Sequence, residues 1–425
     1  MEKMKRTATC GELTKNDIGK NVVLNGWVHR SRDHGGIHFI NLRDRYGITQ
    51  VVVDEHVDEA LKDTAKSLKF EYCIAVEGMV RARPEDMINR DMITGEIEVA
   101  AAGITVLSEC DVLPFMIDER TEAREDLRLK YRYLDLRSFS MQKKMKLRHE
   151  VTFRTREYLT ERGFFEIETP TLIKSTPEGA RDFLVPSRTH PGKFYALPQS
   201  PQLFKQILMV SGMDKYFQIA RCYRDEDSRG DRQLEFTQID VEMSFVSQED
   251  IFLEMEGLMA HLFHHALGVE LKTPFPRLSY DDAIELYGTD KPDLRYDLEM
   301  KDFSSFAEAS DFKVFASVVS GGGKVKALVA PQCGHYSRKM IDALEETAKI
   351  YGAKGLAWMK VTDEGLEGGI AKFFQDKKSE ICDALGAESG DLLLFVADKK
   401  MTACTALGAV RVKLAEDLQL ADPSV

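Results

Sequence analysis

Cysteine is scarce in this chain and positive charge is in deficit. Seven cysteines (Cys10, Cys73, Cys110, Cys222, Cys333, Cys382 and Cys404) are scattered over 425 residues, with no CxxC pair among them. That pattern excludes the CxxC class of metal and redox motifs, and predicts reduced thiols in a cytosolic protein. No apolar run is long enough to span a bilayer and no signal-like apolar segment opens the chain. A soluble, cytoplasmic protein with no membrane partner is therefore expected. Lysine and arginine number 58 against 70 acidic residues, a net charge of −12. This argues against a general polyanion binder but leaves room for local basic patches. There is no internal repeat. Gly321-Gly322-Gly323 reads as a turn between two strands, not a phosphate loop, because no GK[ST] follows it.

What is present fits about three domains at ~150 residues each. Residues 1–110 read as all-β, with strands Val22–Val28, Ile37–Leu42, Ile48–Val53, Tyr72–Arg83 and Glu96–Val106. A helical stretch, Asp58–Leu68, follows the third, as in an OB-fold. Arg30, Arg32, Arg43 and Arg45 sit at strand ends or hairpins, with Phe39 and Tyr46 interleaved. Basic groups that grip phosphates beside an aromatic that stacks on a base suit single-stranded nucleic acid. A solvated basic face with Phe39 in the core is the alternative. Residues 111–137 form a polar hinge ending in REDLRLKYRYLDLR, either a solvated helix or a polyanion contact.

Residues 199–242 concentrate chemistry. Lys205, Arg224, Glu226, Gln233, Gln238, Asp240 and Glu242 lie among Phe204, Tyr216, Phe217, Phe236 and Ile239. Charged groups on core-like strands need partners or a ligand. Ser200 reads as a helix N-cap with Pro201 in the first turn, and Gln202 and Lys205 then share a face. An amide, an ammonium and helix N–H groups together make a carboxylate receptor. Gln218–Glu226 and Glu235–Phe245 read as an antiparallel hairpin, with Phe236, Gln238, Asp240 and Glu242 on one side. Mixed charge with an aromatic suits a charged planar ligand. Arg224 is suited to a phosphate and Phe236 to a base. Upstream come a helix over 141–162 closed by Gly163, an alternating strand to Pro170, and a loop, Thr176–Asp182, in which Pro177 and Gly179 permit movement. Downstream is a helix, Ile251–Leu267, whose His261, His264 and His265 read as surface or satisfied histidines because HExxH is absent. Residues 296–425 alternate strands (Val314–Val319, Lys324–Val329, Leu356–Val361, Asp391–Val396) with helices (Arg338–Tyr351, Gly368–Phe374, Thr405–Leu418), a separate α+β domain.

These motifs carry a resemblance over the whole chain. GFFEIETP (163–170) resembles the first class II synthetase motif, and Arg224-Asp225-Glu226 with Phe236 the second. TPEGARD resembles a flipping loop, and QSPQLFKQ with FTQIDVE an aspartate pocket. GWV, SRDHGG and RDRYG in the N-terminal part resemble an anticodon-binding OB-fold. The chain thus resembles a bacterial-type aspartyl-tRNA synthetase. The implied fold is multidomain α+β: an OB-fold β-barrel (1–110), a hinge (111–137), the first part of a class II antiparallel-sheet catalytic core (138–295) and an inserted α+β domain (296–425).

The resemblance implies an aspartate–tRNA ligase with ATP as substrate, Mg²⁺, tRNA(Asp) and L-aspartate as partners, and a homodimer with Pro170 at its interface. Arg224 and Glu226 are the implied catalytic pair. Glu178, Ser200, Gln202, Lys205, Arg224 and Asp240 are implied for aspartate, and Arg224, Asp225, Glu226, Gln233 and Phe236 for ATP. Arg32, Phe39, Gln50 and Glu98 are implied for the anticodon. The Asp227–Leu234 loop is implied for the acceptor stem. His34 and Asp86 are implied for extension to tRNA(Asn). The Mg²⁺ ligands stay unknown, because the carboxylates that bind it in the family belong to the part that follows the inserted domain. Family members return to the catalytic sheet after the inserted domain with a third motif, and nothing after Leu407-Gly408 resembles it. The 425 residues alone are therefore expected not to form aspartyl-adenylate. The competing reading is a non-catalytic tRNA-binding remnant of a synthetase. An amidotransferase-related module is disfavoured, because it would lack the 199–242 pocket.

Overall fold

Apolar residues alternate with polar ones from residue 21 to residue 108, and in the computed structural model they close a five-stranded barrel. The structure describes residues 5–118, 122–176, 178–230 and 232–422. The strands are β1 (Asn21–His34), β2 (Ile37–Arg43), β3 (Ile48–Val53), β4 (Cys73–Ala82) and β5 (Ile97–Ser108). Their order around the barrel is β1-β2-β3-β5-β4, with only β3 and β5 parallel. Leu24, Val28, Ile40, Leu42, Val51, Ile74, Val76 and Val99 fill its interior. A helix, Glu59–Ser67, follows β3 and is capped by the Asp58 carboxylate, which accepts from the Leu61 N–H. This is the OB-fold expected from the sequence. β1 runs six residues beyond the expected Val28, into a two-glycine turn. Gly35 and Gly36 take φ of 64° and 90° there, and the Gly36 N–H donates to Asp33.

Arg43 departs from its expected role as a nucleic-acid contact. It is 2% exposed, and its guanidinium pairs with Glu71 at 2.8 Å and donates to His29 Nδ1 at 3.0 Å. Arg137 pairs with the same carboxylate at 2.9 Å and lies 4.8 Å over the Trp27 ring. The hinge is two short helices, Glu125–Lys130 and Arg132–Asp135, not one solvated helix. Arg128 and Arg132 both turn onto the buried Asp135. Internal pairing thus takes up much of the charge that the sequence offered to a polyanion.

A long helix, Phe139–Glu161, ends at Gly163, whose φ is +81°. It packs on the helix Gln248–Leu267 through Tyr158, Leu159, Leu258 and Leu262. Gly257 permits the approach: a Cβ there would lie 2.0 Å from the Tyr158 hydroxyl. His261 and His264 on that second helix face Glu157 and Glu270, carboxylates the sequence reading did not pair with them. The sheet beneath has the order 235–243, 215–223, 165–166. Its last strand is two residues long where an alternating strand to Pro170 is expected, because it is an edge paired only to Tyr216 and Phe217.

The chain divides into two compact units, Met1–Pro274 and Phe275–Val425. Residues 275–295, assigned by sequence to the catalytic core, go with the second unit: Ile284 shares a core with Leu298, Leu407 and Val410. That unit has a five-stranded sheet ordered 301–302, 324–330, 392–398, 357–361, 366–367. Both sheet faces are covered. Leu328, Leu394 and Val396 meet the helices Arg338–Ile350 and Lys400–Asp417, while Val325, Leu393 and Phe395 meet Phe303, Phe315 and Phe374. Such strands read as continuous apolar runs. Residues 314–319, expected as a strand, are helical within Lys313–Ser320. Phe315 points inward while Val314 is exposed, so β-branched content misled there. Gly321–Gly323 therefore joins a helix to a strand. The expected helix 368–374 is reduced to 3₁₀ turns at 371–373 and 375–377. Arg411 is 1% exposed, donates to the carbonyls of Asp293, Tyr296 and Leu298, and lies between the Tyr287 and Tyr296 rings.

Candidate active site

The hairpin Lys215–Tyr223/Glu235–Met243 aligns Phe236, Gln238, Asp240 and Glu242 opposite Cys222, Ala220, Gln218 and Tyr216. Side chains two residues apart share a face, so these groups form one surface. The helix Gln202–Val210 brings Lys205 to it. Lys205 Nζ donates to Asp240 Oδ1 at 2.8 Å and lies 3.3 Å from Glu242. Gln238 Nε2 donates to the same Asp240 oxygen at 3.0 Å. Burial opposes the Lys205 charge, but Asp240 and Glu242 outweigh it and hold the ammonium above its ordinary pKa. Burial also pushes the Asp240 carboxyl above its ordinary value, and the Lys205 ammonium only partly reverses this.

Asp240 is 1% exposed, and among the described residues its Oδ2 has no hydrogen-bond partner. A buried carboxylate oxygen left open is costly, and a cationic group at the site would satisfy it. The nearby Cys222 thiol is pushed up to about 11 by burial. It stays protonated near neutral pH and is no nucleophile there.

The Ser200 hydroxyl meets the start of the helix as expected, although the regular helix begins one residue later than the sequence suggests. The helix begins at Gln202 with Pro201 in the cap position. The Ser200 hydroxyl donates to Glu178 Oε2 at 2.7 Å and accepts from the Gln202 N–H at 3.3 Å. Glu178 also accepts from Thr176 Oγ1 at 3.1 Å. The loop and the helix start are thereby drawn together, with Gln202 half-buried beside them. Pro177 lies outside the described residues.

The first hairpin strand ends at Tyr223, before Arg224 and Glu226, which were expected within it. The Arg224 N–H still donates to the Leu234 carbonyl at 2.9 Å, so Arg224 keeps its place at the hairpin end. Its guanidinium lies 5.0 Å over the Phe236 ring. Cation and aromatic face are thus stacked, one suited to a phosphate and the other to a planar base. Asp225 and Glu226 are exposed, with Glu226 3.6 Å from Arg232. Gln233 is exposed on the connecting loop. Sequence reasoning missed Gln199, Tyr216 and Gln218, and placed Asp182 only in the movable loop. Tyr216 and Thr169 both donate to Gln218 Oε1, at 2.8 and 3.0 Å. A buried amide such as Gln199 leaves no periodicity signal; only its place beside Ser200 could have drawn notice.

On the barrel, Arg32 pairs across strands with Phe39, and Asn41 with Gln50. Gln50 donates to Glu98 at 2.9 Å, and Arg81 holds Glu98 and Asp54 at 2.7 Å each. Four of the expected anticodon residues thus sit on neighbouring strands, Arg32 exposed and Phe39 half-covered. His34 is at the exposed hairpin tip and Asp86 in an exposed turn.

Residues 124–398 match the family described as tRNA synthetases class II (D, K and N), and residues 22–107 match the OB-fold nucleic acid binding domain. The aspartate–tRNA(Asp/Asn) ligase of Treponema denticola is 66% identical over 427 residues, which span all of this chain and 72% of that protein. The aspartate–tRNA ligase of Bacillus licheniformis is 55% identical over 423 residues, 99% of this chain and 72% of that protein. The asparaginyl-tRNA synthetase of Entamoeba histolytica, solved with asparaginyl-adenylate, is similar with a TM-score of 0.54 at 25% identity over 63% of this chain and 62% of that one. The Pyrococcus horikoshii asparaginyl-tRNA synthetase, at 20% identity, shares the fold over 96% of each chain with a TM-score of 0.56. The family match and the close bacterial relatives show that this chain belongs to the class II tRNA synthetases, among the aspartate–tRNA ligases.

Proposed function

We propose that the protein activates L-aspartate with ATP and passes it to the 3′ end of tRNA(Asp) and also of tRNA(Asn), as a cytoplasmic homodimer. The observation that carries this is the buried Lys205–Asp240 pair with one Asp240 oxygen left open. Lys205 reads the substrate side-chain carboxylate, while Asp240 takes the α-ammonium. Gln202, Ser200 and Glu178 close the pocket around them. Arg224 holds the α-carboxylate and the α-phosphate, Phe236 stacks on adenine, and Glu226 with Gln233 and Asp225 lines the nucleotide. Both substrates are anions, so Arg224 must offset their repulsion. A carboxylate oxygen attacks the α-phosphorus, pyrophosphate leaves, and a hydroxyl of the terminal ribose then displaces AMP from the acyl carbon. Positioning and charge stabilisation suffice, and no enzyme nucleophile enters.

ATP of this kind travels with Mg²⁺. Among the described residues no three His, Cys, Asp or Glu side chains gather to hold a metal, so no step is assigned to the ion. Dimerisation through Pro170 is supported by its exposure beside the exposed Phe165 and Leu172.

The chain aligns to 72% of its Treponema denticola relative, so substrate binding is a more direct test than turnover. A non-hydrolysable aspartyl-adenylate analogue is expected to bind by calorimetry at least tenfold tighter than its asparaginyl counterpart. Binding of both analogues weakens as pH falls, because Asp240, which takes the α-ammonium common to the two, protonates above its ordinary value of 3.8. Equal affinity for the two analogues would remove the aspartate reading. tRNA binding without analogue binding would favour the non-catalytic remnant.

Phe39→Ala is expected to weaken tRNA(Asp) binding by roughly 5- to 150-fold, the range for loss of one stacking platform. Filter binding at fixed salt measures it, and an unchanged Kd would move the anticodon elsewhere. The same assay with tRNA(Asn) tests relaxed specificity through His34 and Asp86. Binding of tRNA(Asp) alone would count against it.

A further inference from the structure

Gln199 precedes the pocket serine and is 2% exposed. Its Oε1 accepts from the Ala180 N–H at 3.0 Å, while its Nε2 donates to the Ala180 carbonyl at 2.9 Å and to Asp182 Oδ1 at 2.5 Å. The primary amide pairs with a peptide group as a neighbouring strand would. Asp182 is fixed through its other oxygen, which accepts from Ser175 Oγ at 2.5 Å. Between the two tethered residues, the Arg181 carbonyl accepts from the Asp225 N–H at 3.0 Å. Residues 180–182 are thus tied both to the start of the pocket helix and to the end of the hairpin.

Glu178 lies two residues before this tether. Its own contact with Ser200 involves groups proposed for the substrate, and it must rearrange when the substrate ammonium competes for the carboxylate. The Gln199 bonds involve backbone and Asp182 alone, so they persist through that exchange. All three hydrogen bonds would be lost together in an alanine variant, leaving the Ala180 peptide group unpaired.

We propose that Gln199 is a positioning residue: it holds residues 178–182 over the pocket and thereby sets how slowly bound aspartyl-adenylate escapes. It touches no substrate. The inference rests on the proposed function only for the identity of that ligand.

Hydrogen–deuterium exchange on the whole protein tests it. Without ligand, Gln199→Ala is expected to lower protection over residues 178–182 and at Asp225 by about tenfold, the change for roughly one net hydrogen bond. Strands 215–223 and 235–243 keep their protection. Gln199→Glu is nearly isosteric but lacks the NH₂ donor and adds charge beside Asp182, so it should match the alanine variant. With the aspartyl-adenylate analogue, stopped-flow measurement should show dissociation about tenfold faster in both variants and association nearly unchanged. Unchanged protection over 178–182 would overturn the proposal. So would loss of protection across the hairpin, which would make Gln199 a packing residue. If exchange changes as expected but wild-type protein binds no analogue, the tether stands and the aspartate reading fails.

Discussion

Glu71→Gln is expected to destabilise the first unit by about 3–5 kcal/mol, the usual cost of stripping one partner from a buried ion pair. Glu71 serves two guanidiniums, Arg43 and Arg137. Burial already pulls the Arg43 pKa down, and Glu71 is the main group opposing that. Glutamine keeps the shape and removes the charge, so Arg43 is left as an uncompensated cation at 2% exposure. The position is also strained: Glu71 has φ of +62°, in the left-handed region unfavourable to side chains with a Cβ. Its N–H is fixed to the Val28 carbonyl at 2.8 Å. Thermal unfolding should fall by roughly 10 °C for a unit of this size. The Arg43→Met/Glu71→Met double variant should recover part of the loss, because no fully buried charge is then orphaned and Arg137, which also loses Glu71, is partly exposed to water. A Glu71→Gln protein within ~0.5 kcal/mol of wild type would mean that solvent reaches Arg43.

Arg224→Ala should weaken binding of the aspartyl-adenylate analogue by about 10²–10³-fold, the scale for removing a preorganised charge donor. Loss of the guanidinium also leaves Phe236 without its stacked cation. Arg224→Lys should recover only part, since an ammonium cannot fork between two oxygens or lie flat on the ring. Calorimetry with the three proteins measures this. If Arg224→Ala binds the analogue like wild type, Arg224 is only packing against Phe236 and the charge must come from elsewhere.

The barrel was legible because every strand has one face in the core, so apolar residues recur at every second position. The hairpin was legible for a different reason: Asp240 and Lys205 are too polar for their apolar neighbours unless they meet. What escaped notice was decided over long separations. Nothing around Arg43 announces Glu71, 28 residues away, so a buried arginine passed for a surface one. Residues 314–319 read as a strand because valine suits both states, and only packing of Phe315 decides between them. The edge strand at 165–166 is short because pairing on one side alone cannot sustain the alternation written into 164–170.

Arg411 has a consequence for how the second unit is made. Its three carbonyl acceptors lie 113 to 118 residues earlier in the chain. During synthesis those carbonyls emerge long before the arginine that answers them. Until the helix 400–417 leaves the ribosome, the segment 293–298 lacks the guanidinium that fixes its path, and the sheet face formed by Leu328 and Leu394 has only the helix 338–350 to cover it. Closing so long a loop carries its entropic cost before any contact rewards it. Completion of this core therefore waits on the helix 400–417, and part of its apolar face stays open until then.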